Sequence, residues 1–486
     1  MFHNVPYHGC RNTELLSEKL FGCHIATSSR SHRQGQLCKK FERVYKMYLA
    51  NIIKSHNNMY IYDALNNRFC TISSKEDILN DNKYADFLIS SNFRDIKKPC
   101  AFEIKYPYSE EELNNMFTRS IKSITLSLTE RCNLRCEYCG YMPKYSDESY
   151  LLKDMSRDVA YKAIDLLMNN SHESELCHLG FYGGEPLLRL DLIEECINYI
   201  NRKYPFRKPS YNIVTNAVLL NDKVADYFIE NDIHVIISFD GPKQHHNKYR
   251  VDYNGVSSYE RVYQNIQVLY KKDPKFFRTH VTYNVVLCNG TSNELFESID
   301  SLWKSDVNII EPMLTEHFIN TRDKNKDIVT DEKINPTTYD FANRNMLKSM
   351  KKYYNSFHES MCGNIIFPGG FCTPGIRKNF VTANGKIVVC EKVDESQEVF
   401  HIGDVYRGID ADNVKRLINE TLRRVEKCKY CWAAKFCKLC FKDILNIDDD
   451  FCKRAKSQVE SELGFYFDNI CNKRELINYV SNISLT

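Results

Sequence analysis

The chain has 486 residues, 43% of them hydrophobic, enough to bury a large core and to divide into two or three domains. Its 66 basic and 63 acidic side chains leave a formal charge of +3, which excludes a nucleic-acid partner held by a broad positive field. No apolar run approaches the length of a membrane span and the first thirty residues lack a signal-peptide core, so the expectation is a cytoplasmic protein with no membrane partner.

The first region covers residues 1–118. Leu37, Phe41, Val44, Tyr45, Tyr48, Leu49, Ile52 and Ile53 fall on one helical stripe and predict a helix over 36–56. After Asn57-Asn58, alternating residues at 59–62 and 69–72 flank an Asn66-Asn67 turn and predict a hairpin, followed by short helices near 75–90 and 109–118. From Ile121 onward the predicted strands are 122–128, 177–182, 211–215, 233–239, 280–287 and 307–311. Helices at 156–169, 189–202, 220–230, 257–271 and 292–304 alternate with them, the first opened by Ser156 as N-cap. These six strands and the helices between them predict an α/β domain at 119–320, a partial (β/α)6 barrel with its ligands at the carboxyl ends of the strands. A polar linker and helix at 321–359, a cysteine-rich domain at 360–455 and a terminal helix at 456–486 complete the order.

Twenty cysteines in a cytosolic chain of this size point to metal or redox chemistry. Cys132, Cys136 and Cys139 follow the first barrel strand as a triplet without a fourth member. A closed zinc site needs four protein ligands, whereas a cubane cluster held by three cysteines keeps one iron open. Three reduced loop thiols, or a zinc site borrowing Cys177, are the plainer readings. The next strands end at Gly183-Gly184-Glu185, at Thr215-Asn216 and at Ser238-Phe239-Asp240. Small residues allow a ligand to approach the backbone, a carboxylate holds a cation, and Asn216 and Ser238 suit a ribose or a carboxylate. Gly-Gly-Glu-Pro is otherwise only a turn. His246 and Arg250 form either a structural salt-bridge network or a direct substrate contact.

Cys372 precedes a hairpin with a Gly385 turn that presents Cys390. Cys428-x2-Cys431-x5-Cys437-x2-Cys440 and Cys452 then follow, for which a zinc knuckle over 428–440 is the simple alternative. Cys10, Cys23, Cys38, Cys70, Cys100, Cys177, Cys196, Cys288 and Cys471 show no ligand spacing.

The Cys-x3-Cys-x2-Cys spacing, with Tyr138 before the last cysteine, resembles the signature of the radical S-adenosylmethionine (SAM) enzymes. The resemblance implies that the triplet holds a 4Fe-4S cluster whose open iron binds SAM. It makes Tyr138, Gly183, Gly184, Glu185, Asn216, Ser238, Asp240 and Arg250 cofactor contacts, with the methionyl ammonium at Glu185. The C-terminal cysteines resemble the SPASM domain, which implies two auxiliary 4Fe-4S clusters. Cys428, Cys431, Cys437 and Cys452 would hold the outer one. Cys372, Cys390 and Cys440 would hold the inner one, with either Cys362 or an open iron as its fourth position. The chain departs from the family at Asn247, usually aspartate, at Ala217, usually glycine, and in the two residues between Cys437 and Cys440, usually three.

Within this group the chain is most similar to maturases that install thioether crosslinks in ribosomally made precursor peptides. That similarity implies an N-terminal α+β domain that either receives a leader peptide, added as a strand at the hairpin edge 59–63, or serves as an accessory structural domain. It also implies a reducing donor such as flavodoxin or ferredoxin. A 5′-deoxyadenosyl radical abstracts hydrogen, sulfur joins the resulting carbon radical, and the auxiliary clusters accept the surplus electron. Carbon–carbon or ether crosslinking, epimerisation and sulfatase formylglycine formation begin with the same abstraction. A zinc-stabilised binding protein is the non-enzymatic reading.

Overall fold

The computed structural model describes residues 49–55, 58–65, 67–72, 101–141, 151–286, 313–315, 365–368 and 372–472. The predicted elements at 75–90, 292–304, 307–311 and 321–359, together with Cys10, Cys23, Cys38, Cys100, Cys288 and Cys362, lie outside them. The described residues fall into two compact units. One gathers those before Tyr108, those at 365–368 and those after Glu420; the other holds 108–315 and 372–420.

In the first unit β1 (Ala50–Lys54), β2 (Met59–Asp63) and β3 (Arg68–Ile72) form an antiparallel sheet in the order β1-β2-β3. The helix expected over 36–56 is therefore corrected at its end, since residues 50–54 are a strand and 36–48 lie outside the described residues. Pairing with β2 decides the matter, and the side chains then alternate with period two. Leu49 and Ile53 join Tyr60 and Tyr62 on one face, while Ala50 and Ile52 join Ile61 and Ile72 on the other. The structure also corrects the edge expected at 59–63, because β2 is the central strand and both its backbone rows are paired.

The first face packs on the C-terminal helix Asp449–Asn472 through Val459, Leu463 and Phe467, with Phe69 and Phe467 stacked at 3.8 Å. Gly464 permits this approach, since a Cβ there would stand 2.9 Å from the Lys54 carbonyl oxygen. Asp468 Oδ1 accepts from Ser55 Oγ at 2.9 Å, Asn58 Nδ2 at 2.9 Å and the Tyr60 hydroxyl at 2.6 Å, which ties the β1–β2 turn to the helix. A two-residue strand β4 (Glu103–Ile104) pairs in parallel with Ile365–Ile366.

The second unit opens with α1 (Glu110–Arg119), begun by a Ser109–Glu112 capping box. Then follow β5 (Ser123–Ser127), α2 (Arg157–Asn169), β6 (His178–Tyr182), α3 (Leu190–Lys203), β7 (Ser210–Thr215), α4 (Asp222–Glu230) and β8 (Ile233–Ser238). Next come α5 (Lys243–Tyr249), α6 (Tyr259–Lys272), α7 (Pro274–His280), β9 (Val281–Val286) and β10 (Met313–Thr315). Ser156 caps α2 through its hydroxyl, as the sequence predicts.

β5 to β10 are parallel and adjacent in chain order, the α/β arrangement expected of a six-stranded partial barrel. Among the described residues the sixth parallel strand is 313–315, where Met313 to Thr315 pair with Asn284 to Val286. Beyond β5 the sheet continues into Phe380–Val381, parallel to β5, and then antiparallel through Lys386–Val388, the hairpin that precedes Cys390. Leu126, Leu179, Ile213, Val235 and Ile237 are fully buried, each worth about 1.5–3 kcal/mol relative to exposure. No helix among the described residues is long and apolar enough to cross a membrane.

Candidate functional site

The loop after β5 carries the cysteine triplet and is pinned from two sides. On one side Arg135 N donates to Val251 O at 2.6 Å and Glu137 N to Tyr249 O at 3.1 Å. On the other, Gly184 N donates to Thr129 O at 2.7 Å and Glu185 N to Arg131 O at 2.9 Å. Here the two glycines are required by backbone meeting backbone. A Cβ on Gly183, whose φ is +134°, would lie 2.3 Å from Thr129 O, and one on Gly184 would lie 2.2 Å from Arg131 O.

Each thiol of the triplet has a donor aimed at it. Leu134 N donates to Cys132 Sγ at 3.4 Å and Tyr141 N to Cys139 Sγ at 3.4 Å, while Arg250 Nη1 faces Cys136 Sγ at 3.9 Å. Asn216 Nδ2 donates to Asn133 Oδ1 at 2.7 Å and stands 3.7 Å from Cys132 Sγ. Burial, with the Glu185 carboxylate second, pushes the Cys132 thiol up to about 12. Burial likewise pushes Cys136 up to about 11 against the pull of Arg250. Such desolvated thiols need a cationic partner to ionise, which a metal cluster supplies. Asn133 Nδ2 is buried beside Cys132 without an acceptor among the described residues, a donor suited to a bound carboxylate.

Among the described residues no three His, Cys, Asp or Glu side chains converge as the ligands of a single metal ion do. The thiolates of a cubane bind separate irons, so the donor set that suits one is more open.

Glu185 is fully buried, and its carboxylate accepts from Thr215 Oγ1 at 2.6 Å, Asn216 N at 2.8 Å and Leu187 N at 3.0 Å. Burial nevertheless pushes it up to about 7, so a cation brought beside it would favour its charged form. These bonds join the ends of β6 and β7.

Asp240, after β8, lies fully buried in an ion pair with Arg250, at 2.6 Å from Nε and 3.2 Å from Nη2. Burial opposes its charge, and Arg250 outweighs that and holds the carboxyl below the usual range. The Tyr138 hydroxyl at 2.5 Å and Val286 N at 3.0 Å complete its partners. His246 is buried behind this pair, so the network reading of His246, Asp240 and Arg250 is the one the geometry favours. Asn247 Oδ1 accepts from Tyr259 N at 3.2 Å, at the start of α6. Ser238 closes β8, where it pairs with Asn284.

Thr215, Asn133 and Ser258 were missed by sequence reasoning. Thr215 stands in the quoted strand end Thr215-Asn216 and Asn133 between Cys132 and Cys136, each without a role assigned to it, but nothing in the sequence marks Ser258, eight residues beyond Arg250.

In the first unit a second group of thiols is desolvated, and burial pushes Cys431 up and Cys437 up to about 11. Cys428, Cys431, Cys437 and Cys452 lie within electrostatic reach of one another, and burial pushes Cys428 up to about 12. Cys440 N donates to Asp443 Oδ2 at 3.2 Å. Cys440 belongs to this unit, whereas Cys372 and Cys390 belong to the second.

A sequence profile of the Radical SAM superfamily matches residues 126–303. A cysteine-type anaerobic sulfatase-maturating enzyme of Clostridium novyi is 26% identical over 333 residues, 64% of this chain and 85% of that protein. The radical SAM cyclopropyl synthase TigE of Paramaledivibacter caminithermalis is 26% identical, over 57% of this chain and 58% of its own length. An uncharacterized protein of Methanocaldococcus jannaschii is 41% identical over 121 residues, and the chain spans only 39% of its length. The solved structure described as native anSMEcpe with bound AdoMet shares the fold at a TM-score of 0.50 and 20% identity, covering 74% of this chain and all of that one. The cysteine triplet at the end of β5 lies within the matched residues, and the chain is an enzyme that is similar over residues 126–303 to the Radical SAM superfamily.

Proposed function

We propose that this enzyme is a SAM-dependent maturase that forms a thioether between a cysteine sulfur and a carbon of a ribosomally made peptide. The observation that carries the reading is that one chain holds two groups of desolvated thiols, Cys132, Cys136 and Cys139 after β5, and Cys428, Cys431, Cys437 and Cys452 within electrostatic reach of one another. Two thiolate centres allow one to begin a radical reaction and the other to accept its surplus electron. A sulfatase-maturating relative, whose name gives a protein as the thing it matures, supports a peptide substrate.

Cys132, Cys136 and Cys139 would hold the SAM-binding cluster, and Cys428, Cys431, Cys437 and Cys452 an auxiliary one. Cys372, Cys390 and Cys440, with or without Cys362, are the proposed ligands of a third. When bound, SAM and the reduced cluster supply a radical able to take hydrogen from an unactivated carbon. The chain's residues orient and shield that chemistry. Asn133 Nδ2 offers a hydrogen bond to a carboxylate, Asn216 holds Asn133 in place, and Gly183 and Gly184 fix the loop at the strand end. Glu185 offers a carboxylate to an ammonium group.

The region before residue 119 is proposed to receive a leader peptide, with flavodoxin or ferredoxin as reductant. Point substitutions test the leader role better than truncation, because β1 and β2 share one core with the C-terminal helix.

The test is incubation of the anaerobically loaded enzyme with SAM, reductant and cysteine-rich peptides, read by tandem mass spectrometry. Thioether formation predicts loss of two hydrogens and a cysteine that no longer alkylates. A second reading, formylglycine formation, is favoured by the sulfatase-maturating relative matched over 85% of its length. It predicts instead an aldehyde that hydrazine traps.

A further inference from the structure

Arg250 Nη1 faces Cys136 Sγ at 3.9 Å, and the cation is aimed there by its surroundings. Its side chain is 6% exposed, its Nε and Nη2 grip the two oxygens of Asp240, and its guanidinium lies 5.3 Å from the centre of the Tyr138 ring. Asp240 is itself fixed by the Tyr138 hydroxyl and the amide of Val286. The Arg250 carbonyl accepts from Ser258 Oγ at 2.9 Å, and that hydroxyl binds His246 Nε2 at 3.0 Å. The cysteine loop and the ends of β8, α5 and β9 thus set one cation against one sulfur.

A positive charge near a ligating sulfur, away from water, stabilises whichever cluster state carries more negative charge, namely the reduced one. We propose that Arg250 is a positioning residue that sets the reduction potential of the cluster held by Cys132, Cys136 and Cys139, with Asp240 as the counter-charge that limits its pull. The inference rests on the radical SAM reading of the triplet. It gives Arg250 a task at the cluster rather than at SAM.

The test uses the full chain, loaded anaerobically with iron and sulfide and titrated with dithionite through redox mediators. Electron paramagnetic resonance follows the one-electron signal that changes when SAM is added. Arg250→Gln lowers the midpoint potential, while Asp240→Asn raises it because the arginine charge is then unopposed. Either single change leaves a buried charge without its partner, which costs stability. The double variant Asp240→Asn/Arg250→Gln removes both charges together and is expected below wild type, with Arg250→Lys in between. Wild-type potentials in the double variant and in Arg250→Gln, at full iron content, would overturn the proposal, as would lost stability with no shift in potential. A wild-type chain that takes up zinc in place of a cluster overturns the radical SAM reading as well. Variants that leave an intact cluster's potential unmoved overturn the Arg250 assignment alone.

Discussion

The α-carbon of Gly184 meets the carbonyl of Arg131 so closely that a methyl group there would lie 2.2 Å from the oxygen. Arg131 directly precedes Cys132, so this contact connects the end of β6 to the position of the first thiol.

Gly184→Ala should therefore act on both stability and cluster uptake. The clashing atom is backbone and cannot swing away, so the cost should be at least the roughly 1–3 kcal/mol of ordinary overpacking. Urea unfolding and bound iron per chain check this. A variant with wild-type stability and iron content would show that the loop is not held as described.

His246 supplies a pH prediction. Ser258 Oγ gives its proton to the Arg250 carbonyl, so His246 Nε2 must donate to Ser258, leaving Nδ1 to accept from Asp240 N at 3.4 Å. The ring is thus neutral, and burial, aided by the Arg250 charge, pushes it down to about 3 from 6.5. Between those values the unfolded chain binds a proton that the folded chain does not. The contribution to stability is full above pH 6.5 and is lost as pH falls toward 3. His246→Gln should remove about 2 kcal/mol of the stability lost between pH 7 and pH 5, as measured by urea unfolding at each pH. An unchanged pH dependence would contradict the neutral assignment.

Much of the second unit was legible because its signals are local. Ser156 caps α2, and five of the parallel strands lie within two residues of their expected ends. β1 was not legible, because Leu49 to Ile53 suit a helical stripe as well as a strand and only pairing with β2 decides between them. The first unit is assembled from distant stretches of chain, such as Tyr60 with Asp468, which no window of sequence contains. The cysteines and Gly-Gly-Glu were visible as motifs, whereas Val286 serves the site through its backbone amide and leaves no mark. Ala217 was visible as a departure from the family glycine. Its consequence is structural, a φ of 58° that costs an L-residue roughly 1–2 kcal/mol. Asn265 Nδ2 helps to hold that strained turn through the carbonyls of Ala217 at 2.8 Å and Val218 at 3.1 Å.

The most direct measurement is 5′-deoxyadenosine released from SAM by the reduced, anaerobically reconstituted enzyme. The wild type should produce it, and the variant with Cys132, Cys136 and Cys139 replaced by alanine should produce none while retaining its fold by circular dichroism. Release that persists in the triple variant, or its absence from a wild type holding a full complement of iron and sulfide, would contradict the assignment of the SAM-cleaving site to this triplet.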